Sequence, residues 1–212
     1  MLIDLYTWST PNGRKVSILL EELGVEYTVY PIDIGKGDQF SKKFQKISPD
    51  YKIPVIYDNQ DQRFIRESGA ILLYLSNKFG QFTGTADYYW DVMQWLMWQM
   101  SAIGPILGQA HHFLYYNKGR SAYAEDRFKN EAKKLYGILD NRLKDFEYIS
   151  GPGKGEYSIA DIALWPWISR FQRHQINLDE YPNVYKWYRK ISERPAVKKG
   201  YDIPLFGNKI PT

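Results

Sequence analysis

The stretches Thr10-Pro11-Asn12-Gly13, Lys52-Ile53-Pro54-Val55 and Glu67-Ser68-Gly69-Ala70-Ile71 decide how the first third of the chain reads, because each sits where one kind of periodicity gives way to another. Before the first, Leu2 to Trp8 is strand-like; after it, Val16, Leu19, Leu20 and Leu23 recur at helical spacing up to Gly24, a helix stop. Tyr27 to Pro31 reads as a second strand and Ser41 to Lys46 as a short helix. Beyond the second stretch, Val55 to Tyr57 and Phe64-Ile65 read as a hairpin, and the third opens a helix from Gly69 to Phe79 closed by Gly80. The order βαβ, α, ββα packs helices on a small mixed sheet that needs no strand from the rest of the chain.

After Gly80 the strand signals stop. Tyr88 to Leu107 is apolar nearly all round, with Trp90, Met93, Trp95, Leu96, Met97, Trp98 and Met100, which predicts a helix buried between neighbours. Phe128, Leu135, Leu139 and Phe146 mark the inner face of a helix from about Ala122 to Phe146, with Glu125, Lys129 and Lys133 outside. Asn183 to Ser192 supplies a further helix before a Pro- and Gly-bearing tail. The predicted organisation is an α/β domain over residues 1–81 and an all-helical domain over residues 88–212. In Ser158-Ile159-Ala160-Asp161 a hydroxyl and a carboxylate three residues apart suit a capping box, a structural device and not a ligand site.

The chain has 212 residues, 44% of them hydrophobic and 17% aromatic, enough for a large core in one or two domains. Twenty-eight basic against 24 acidic residues leave a net charge of +4, with no basic run longer than Lys133-Lys134 or Lys198-Lys199 and no nucleic-acid motif, so a nucleic-acid partner is not expected. The start Met1-Leu2-Ile3-Asp4-Leu5-Tyr6 lacks a basic segment and reads as a strand, not a secretion signal. No apolar run approaches the roughly 18 residues of a membrane span, and the expected location is the cytoplasm. With no cysteine at all, the chain has no disulfide framework, no thiolate metal site and no thiol nucleophile of its own. The adjacent His111 and His112 lack the spacing of a zinc pair, and no metal is expected.

Each of the three opening stretches has a plain reading and a chemical one. Thr10 and Pro11 form an ordinary N-cap and first-turn proline. The same amides, at the positive end of a helix, would also stabilise a thiolate. Ile53-Pro54 is a trans strand start, or a cis bond that turns the Ile53 amide and carbonyl outward to an extended peptide. At Glu67-Ser68 the hydroxyl and the amides behind it suit a carboxylate, and Glu67 suits an ammonium, the two charges of an amino-acid end.

Taken in order, these motifs resemble those of the cytosolic glutathione transferases, and the likeness covers essentially the whole chain. More narrowly, Thr10-Pro11-Asn12-Gly13, Gly35-Lys36-Gly37-Asp38-Gln39-Phe40, Gly104-Pro105, His111-His112-Phe113 and Trp165-Pro166-Trp167 are similar to the nu class. That class resembles bacterial glutathione-dependent disulfide-bond oxidoreductases and the transferase-like domain of a yeast nitrogen regulator. The resemblance implies a thioredoxin-like N-terminal domain plus an all-α C-terminal domain. It also implies glutathione as cosubstrate, reduced or oxidised, a small-molecule disulfide or electrophile as second substrate, and a homodimer. It places Thr10 and Asn12 at the glutathione sulfur, as catalytic groups, and Gln39 at the glycyl end, with Lys52 a further candidate there. Ile53 would pair with the cysteinyl backbone, Glu67 with Ser68 would hold the γ-glutamyl group, and Arg127 would reach ligand carboxylates. Ser9 and Tyr6 are alternative hydroxyls for the sulfur. The second-substrate pocket is expected between the two domains, with Trp8, Phe113, Tyr116 and Trp167 as candidate lining.

A free thiol with a pKa of about 8.5 is only about 3% thiolate at pH 7, and lowering it by about two units requires ~2.7 kcal/mol of differential stabilisation. Nucleophilicity falls meanwhile with a Brønsted coefficient of about 0.4–0.5, so positioning must supply much of the acceleration. The expected activity is disulfide reduction by bound glutathione thiols, with weak conjugating or peroxidase activity. A glutathione-binding regulatory module is the alternative; the Asn-rich extension of the yeast regulator is not expected, since the chain begins directly with a strand.

Overall fold

Ile3, Leu5 and Thr7 are buried while Asp4 and Tyr6 are half-buried, the alternation of a strand covered on one face, and they form β1 (Ile3–Thr7). The computed structural model describes residues 2–212; Met1, the first residue of the strand-like start, lies outside the described residues. Helix α1 (Pro11–Leu23) follows, ending on Gly24 at φ 64°, the left-handed cap that glycine adopts without strain. Then come β2 (Tyr27–Pro31), a 3-10 turn at Asp38–Phe40 and α2 (Lys42–Gln45), capped by the Ser41 hydroxyl. The hairpin β3 (Val55–Asp58) and β4 (Arg63–Arg66) leads into α3 (Ser68–Phe79), which ends on Gly80. The sheet runs β2-β1-β3-β4, with β1 parallel to β2 and antiparallel to β3, so Leu5 lies opposite both Val29 and Ile56.

Helix α4 (Tyr89–Trp98) continues through a π turn at Gln99–Ile103 into α5 (Gly104–His111) and a second π turn at His112–Tyr116. Trp90 is 72% exposed and Met97 47%, so this long helix is not the one buried on every side, as its apolar sequence predicts. That position belongs to α7 (Ile159–Ile168), in which every residue is buried. Between them runs α6 (Ala122–Leu143), which stops short of Phe146, and after α7 come α8 (Pro182–Ser192) and α9 (Pro195–Tyr201). The Arg142 guanidinium lies 3.6 Å over the Phe146 ring, so Phe146 packs beside α6 from the loop that follows it.

By packing, the chain divides into unit 1, Met1–Gln81 with Glu193–Ile210 and Thr212, and unit 2, Phe82–Ser192 with Pro211. Glu193–Ile210, expected above with the helical domain, thus packs in unit 1. There α9 lies on α1, where a Cβ on Gly200 would stand 2.6 Å from the Ile18 Cα, a closeness only glycine permits. Ser17 donates to the Gly200 carbonyl at 2.7 Å and Arg14 Nε to the Tyr201 carbonyl at 2.8 Å, while the Arg14 guanidinium stacks 3.6 Å from the Tyr201 ring. A bidentate pair joins Arg194 to Glu22 at 2.6 and 2.7 Å.

The start of α7 carries the expected capping box. Ser158 Oγ accepts from the Ala160 amide at 3.2 Å, and Asp161 Oδ2 accepts from the Ser158 amide at 3.1 Å. The other Asp161 oxygen takes the Ile149 amide at 3.0 Å and the Trp187 indole at 2.8 Å. Burial pushes the Asp161 carboxyl up to about 6 against the downward pull of these donors. Replacing Ser158 by Ala should cost about 1 kcal/mol of unfolding free energy in urea, the usual worth of an N-cap hydroxyl.

His111 and His174, far apart in sequence, lie with ring centroids 4.8 Å apart in unit 2, and Tyr136 Oη meets His174 Nδ1 at 3.0 Å. Burial, with Arg173 and Arg170 nearby, holds His111 down at about 4; burial first, then His111 and the same arginines, hold His174 well below its ordinary range. A depressed folded-state value gives stability that is complete above the unfolded histidine pKa of about 6.5 and is lost as pH falls below it. Asp161 acts in the opposite sense between its unfolded value and about 6, so the histidine contribution is read by difference. His111→Gln should flatten the loss of urea stability between about pH 6.5 and pH 4 relative to the parent; parallel profiles would mean the pair does not govern it.

Candidate functional site

The first turn of α1 is built on two features of Thr10-Pro11-Asn12-Gly13. Thr10 Oγ1 accepts from the Gly13 amide at 3.1 Å, and Pro11 fills the first helical position, where no amide hydrogen is needed. The Thr10 hydroxyl keeps its own proton for an outside acceptor. Gly13 is set by contact: a Cβ there would lie 2.3 Å from the Trp8 carbonyl oxygen and 2.5 Å from Thr7 Oγ1. The helix therefore starts hard against the end of β1, with half-buried Asn12 in its opening turn.

Ile53-Pro54 is cis. Ile53 stands just outside both registers of β3, whose pairing to β1 and β4 begins at Val55. Lys52 is exposed, and its backbone is fixed by Ser48, whose hydroxyl donates to the Lys52 carbonyl at 2.7 Å. Glu67 caps α3 with φ 66° and ψ 116°, a left-handed backbone unusual for a residue with a Cβ. Its side chain is exposed, whereas Ser68, the first helical residue, is 4% exposed.

Lys15 ties the two helix starts together. It is 1% exposed and its ammonium donates to Ser68 Oγ at 3.2 Å. Burial pulls this ammonium down to about 7, and the Glu67 charge pulls it back up. Nothing in the motifs singled Lys15 out; the available signal was a lysine four residues before Leu19, on the helix face that the apolar spacing assigns to the core.

The remaining expected residues are dispersed. Gln39 sits in the 3-10 turn at Asp38–Phe40, its Nε2 donating to the Ile34 carbonyl at 3.5 Å and its Oε1 buried without a hydrogen-bond partner. Tyr6 is in mid-strand, stacked on Tyr30 at 4.8 Å, its hydroxyl pushed up by burial and then by Asp4. Ser9 accepts from Asn208 Nδ2 at 3.4 Å, and Trp8 meets Phe206 edge-on at 4.9 Å. In unit 2, Arg127 is exposed on α6, its guanidinium 5.8 Å from the Phe128 ring. Phe113 stacks on Phe128 at 5.5 Å, Arg173 donates to Tyr116 Oη at 3.0 Å, and Trp167 is buried. No group of three or more metal-ligating side chains occurs among the described residues. No helix among them is long and apolar enough to cross a membrane.

A small mixed sheet carrying two helix N-termini side by side, followed by a helical unit, defines a thioredoxin-like domain joined to an all-α one. Residues 5–83 match the family model for the glutathione S-transferase N-terminal domain and residues 103–195 that for the C-terminal domain. Disulfide-bond oxidoreductase YfcG of Escherichia coli is 42% identical over 202 residues, 92% of each chain. Transcriptional regulator URE2 of Saccharomyces cerevisiae is 32% identical, over 90% of this chain and 65% of that one. Among solved structures, a Pseudomonas putida glutathione transferase with one glutathione disulfide bound per subunit superposes with a TM-score of 0.89 at 38% identity, covering 96% of this chain and 92% of that one. A Pseudomonas fluorescens family member with two glutathione bound gives 0.88 at 39% identity, covering 96% and 93%. The chain belongs to the glutathione S-transferase family.

Gly13→Ala should force the first turn of α1 away from Trp8 or strain it, at about 1–3 kcal/mol as for other overpacked contacts. Calorimetric titration with glutathione should show weakened binding together with a lowered melting temperature.

Proposed function

We propose that this protein is a glutathione-dependent disulfide-bond oxidoreductase that works with ligand thiols alone. The observation that carries the reading is the absence of any cysteine in a chain of this family, beside a site made of helix amides and hydroxyls. A protein thiol cannot form the mixed disulfide, so a bound glutathione must. The similarity to YfcG and to structures holding glutathione disulfide or two glutathione molecules supports the same reading.

In this mechanism the thiolate of one bound glutathione attacks a sulfur of the substrate disulfide. A glutathione mixed disulfide forms and the other substrate sulfur leaves as a thiolate, which takes up a proton. The thiolate of a second glutathione then attacks the glutathione sulfur of that mixed disulfide. Glutathione disulfide forms and the second substrate thiol is released, so two glutathione thiols are oxidised for each disulfide reduced. Thr10 and Asn12 donate hydrogen bonds to the attacking sulfur at the positive end of α1. Ile53 pairs with the cysteinyl backbone, Glu67 takes the γ-glutamyl ammonium and Ser68 its carboxylate, Gln39 meets the glycyl end, and Arg127 serves ligand carboxylates. Conjugation and peroxide reduction are secondary activities of the same thiolate. We assign the chain to the nu class, as a cytoplasmic homodimer.

Asn12→Ala should lower kcat/KM for glutathione-dependent reduction of a small model disulfide by about tenfold or more, the worth of a hydrogen bond to an anion, a loss far larger than any change in melting temperature. Equal losses of activity and stability would remove Asn12 from the chemistry. The similarity to URE2 favours one other reading, a regulatory module; glutathione binding with turnover in neither the disulfide assay nor a chlorinated-aromatic conjugation assay would select it. Light scattering on the gel-filtered protein should give twice the 25.0 kDa chain mass.

A further inference from the structure

The last part of the chain returns to the start of α1. Asn208 Nδ2 donates to Ser9 Oγ at 3.4 Å, and the Phe206 ring meets the Trp8 ring edge-on with centroids 4.9 Å apart. Both contacts lie within unit 1 and fall on the two residues that precede Thr10. Those residues are themselves fixed to the helix, because the Thr10 amide donates to the Trp8 carbonyl at 2.7 Å and Gly13 lies against the same oxygen. Residues 203–207 form a closed loop. Across its base the Asn208 amide donates to Asp202 Oδ1 at 2.5 Å, and Gly207 turns the chain at φ 69°, a left-handed conformation open to glycine.

Ile203 and Pro204 are buried at the root of this loop, whereas Leu205 is 76% exposed and Phe206 54%. Single exposed apolar side chains are ordinary on a protein surface. Here two stand in succession on a loop tied at its base by Asp202 and at Ser9 by Asn208, so they are held in place beside the helix start. Phe206 covers Trp8 with one edge and leaves half of its surface to water.

The place of the loop says what would use that surface. The first amides of a helix point back along its axis, toward the segment that precedes it. A sulfur held at that end by Thr10 and Asn12, as proposed above, carries its substituent past Trp8 and Ser9, where the loop lies. We infer that Phe206 is a specificity-determining residue for the second substrate: with Trp8 it forms an aromatic shelf that selects disulfides and electrophiles bearing an aromatic group beside the reacting atom. The inference rests on the glutathione-binding reading and adds to it the chemical class of the second substrate. An aromatic group laid on the shelf leaves water and meets a ring already oriented by Trp8 and by the Asn208 tie, so selection requires no ordering of the loop. A small polar disulfide gains nothing there.

The test is isothermal titration with S-methylglutathione and S-benzylglutathione, whose sulfur substituents stand where the second substrate's group would lie. The parent should bind S-benzylglutathione about tenfold more tightly than S-methylglutathione. Phe206→Ala should reduce that preference about three- to tenfold, the worth of an aromatic pair, and Phe206→Tyr should keep it. A role in packing alone would move the melting temperature and leave the preference as it is in the parent. Asn208→Ala, which unties the loop from Ser9, should narrow the preference as well, and it decides the matter if Phe206→Ala fails to fold. In turnover with glutathione, the parent should favour benzyl 2-hydroxyethyl disulfide over bis(2-hydroxyethyl) disulfide in kcat/KM, and Phe206→Ala should narrow that gap. Equal affinity of the parent for the two ligands, or a preference that Phe206→Ala leaves intact, overturns the assignment to Phe206 alone. No binding of either ligand by the parent overturns both this assignment and the glutathione reading.

Discussion

Burial of α1 on every side is the constraint on which unit 1 depends. From Gly13 to Leu20 each residue of this helix is buried, including Arg14, Lys15 and Ser17. An amphipathic helix lying on one sheet would show its polar residues to water; this one cannot, because α9 covers the face the sheet leaves open. Buried polar groups on this helix are met by neighbouring elements. Arg14 and Ser17 find partners in the carbonyls of Tyr201 and Gly200, and Lys15 finds Ser68. Glycine sits at both tight approaches, Gly13 against the end of β1 and Gly200 against Ile18, because a single Cβ at either would push the helix off its seat.

That seating fixes the chemistry as well as the packing. The N-terminal turn of α1 cannot drift from β1 while Gly13 lies on the Trp8 carbonyl, and α3 is held to it through Lys15. Two positive helix ends are thus kept side by side with small donors at each, Thr10 and Asn12 on one and Ser68 on the other. A ligand with a thiolate at one point and an amino-acid carboxylate at another matches such a pair.

Much of unit 1 was legible in the sequence because its signals are local. Alternation gave β1, the glycine stops gave the ends of α1 and α3, and β2 falls on the residues predicted for it. In unit 2 the Ser158–Asp161 box was equally readable, since a cap needs only residues three apart. What escaped was set by contacts distant in sequence. Pro195 to Tyr201 gave no strong periodicity, and its helix is defined by the surface of α1 it covers. Trp90 and Met97 look like core residues by type, yet periodicity ranks a helix by composition and not by which neighbours reach it, and α7 took the central place. His111 and His174 are harmless singly and become a coupled pair only when the fold brings their rings together. At the site, the motifs pointed to the residues proposed to meet a ligand and passed over Lys15, which meets one of those residues instead.

A chain without cysteine also shifts where specificity must reside. An enzyme that carries its own thiol can form a mixed disulfide with any disulfide that reaches it, and selects among substrates afterwards. Where the nucleophile itself is a ligand, its capture is the first selective step, and groups far from the sulfur decide it. On the proposed reading, binding energy at the γ-glutamyl end does two jobs: it chooses glutathione over other thiols, and it holds the sulfur at the helix end that would stabilise a thiolate. The proposed sulfur end can accordingly remain simple, a threonine, an asparagine and a row of amides.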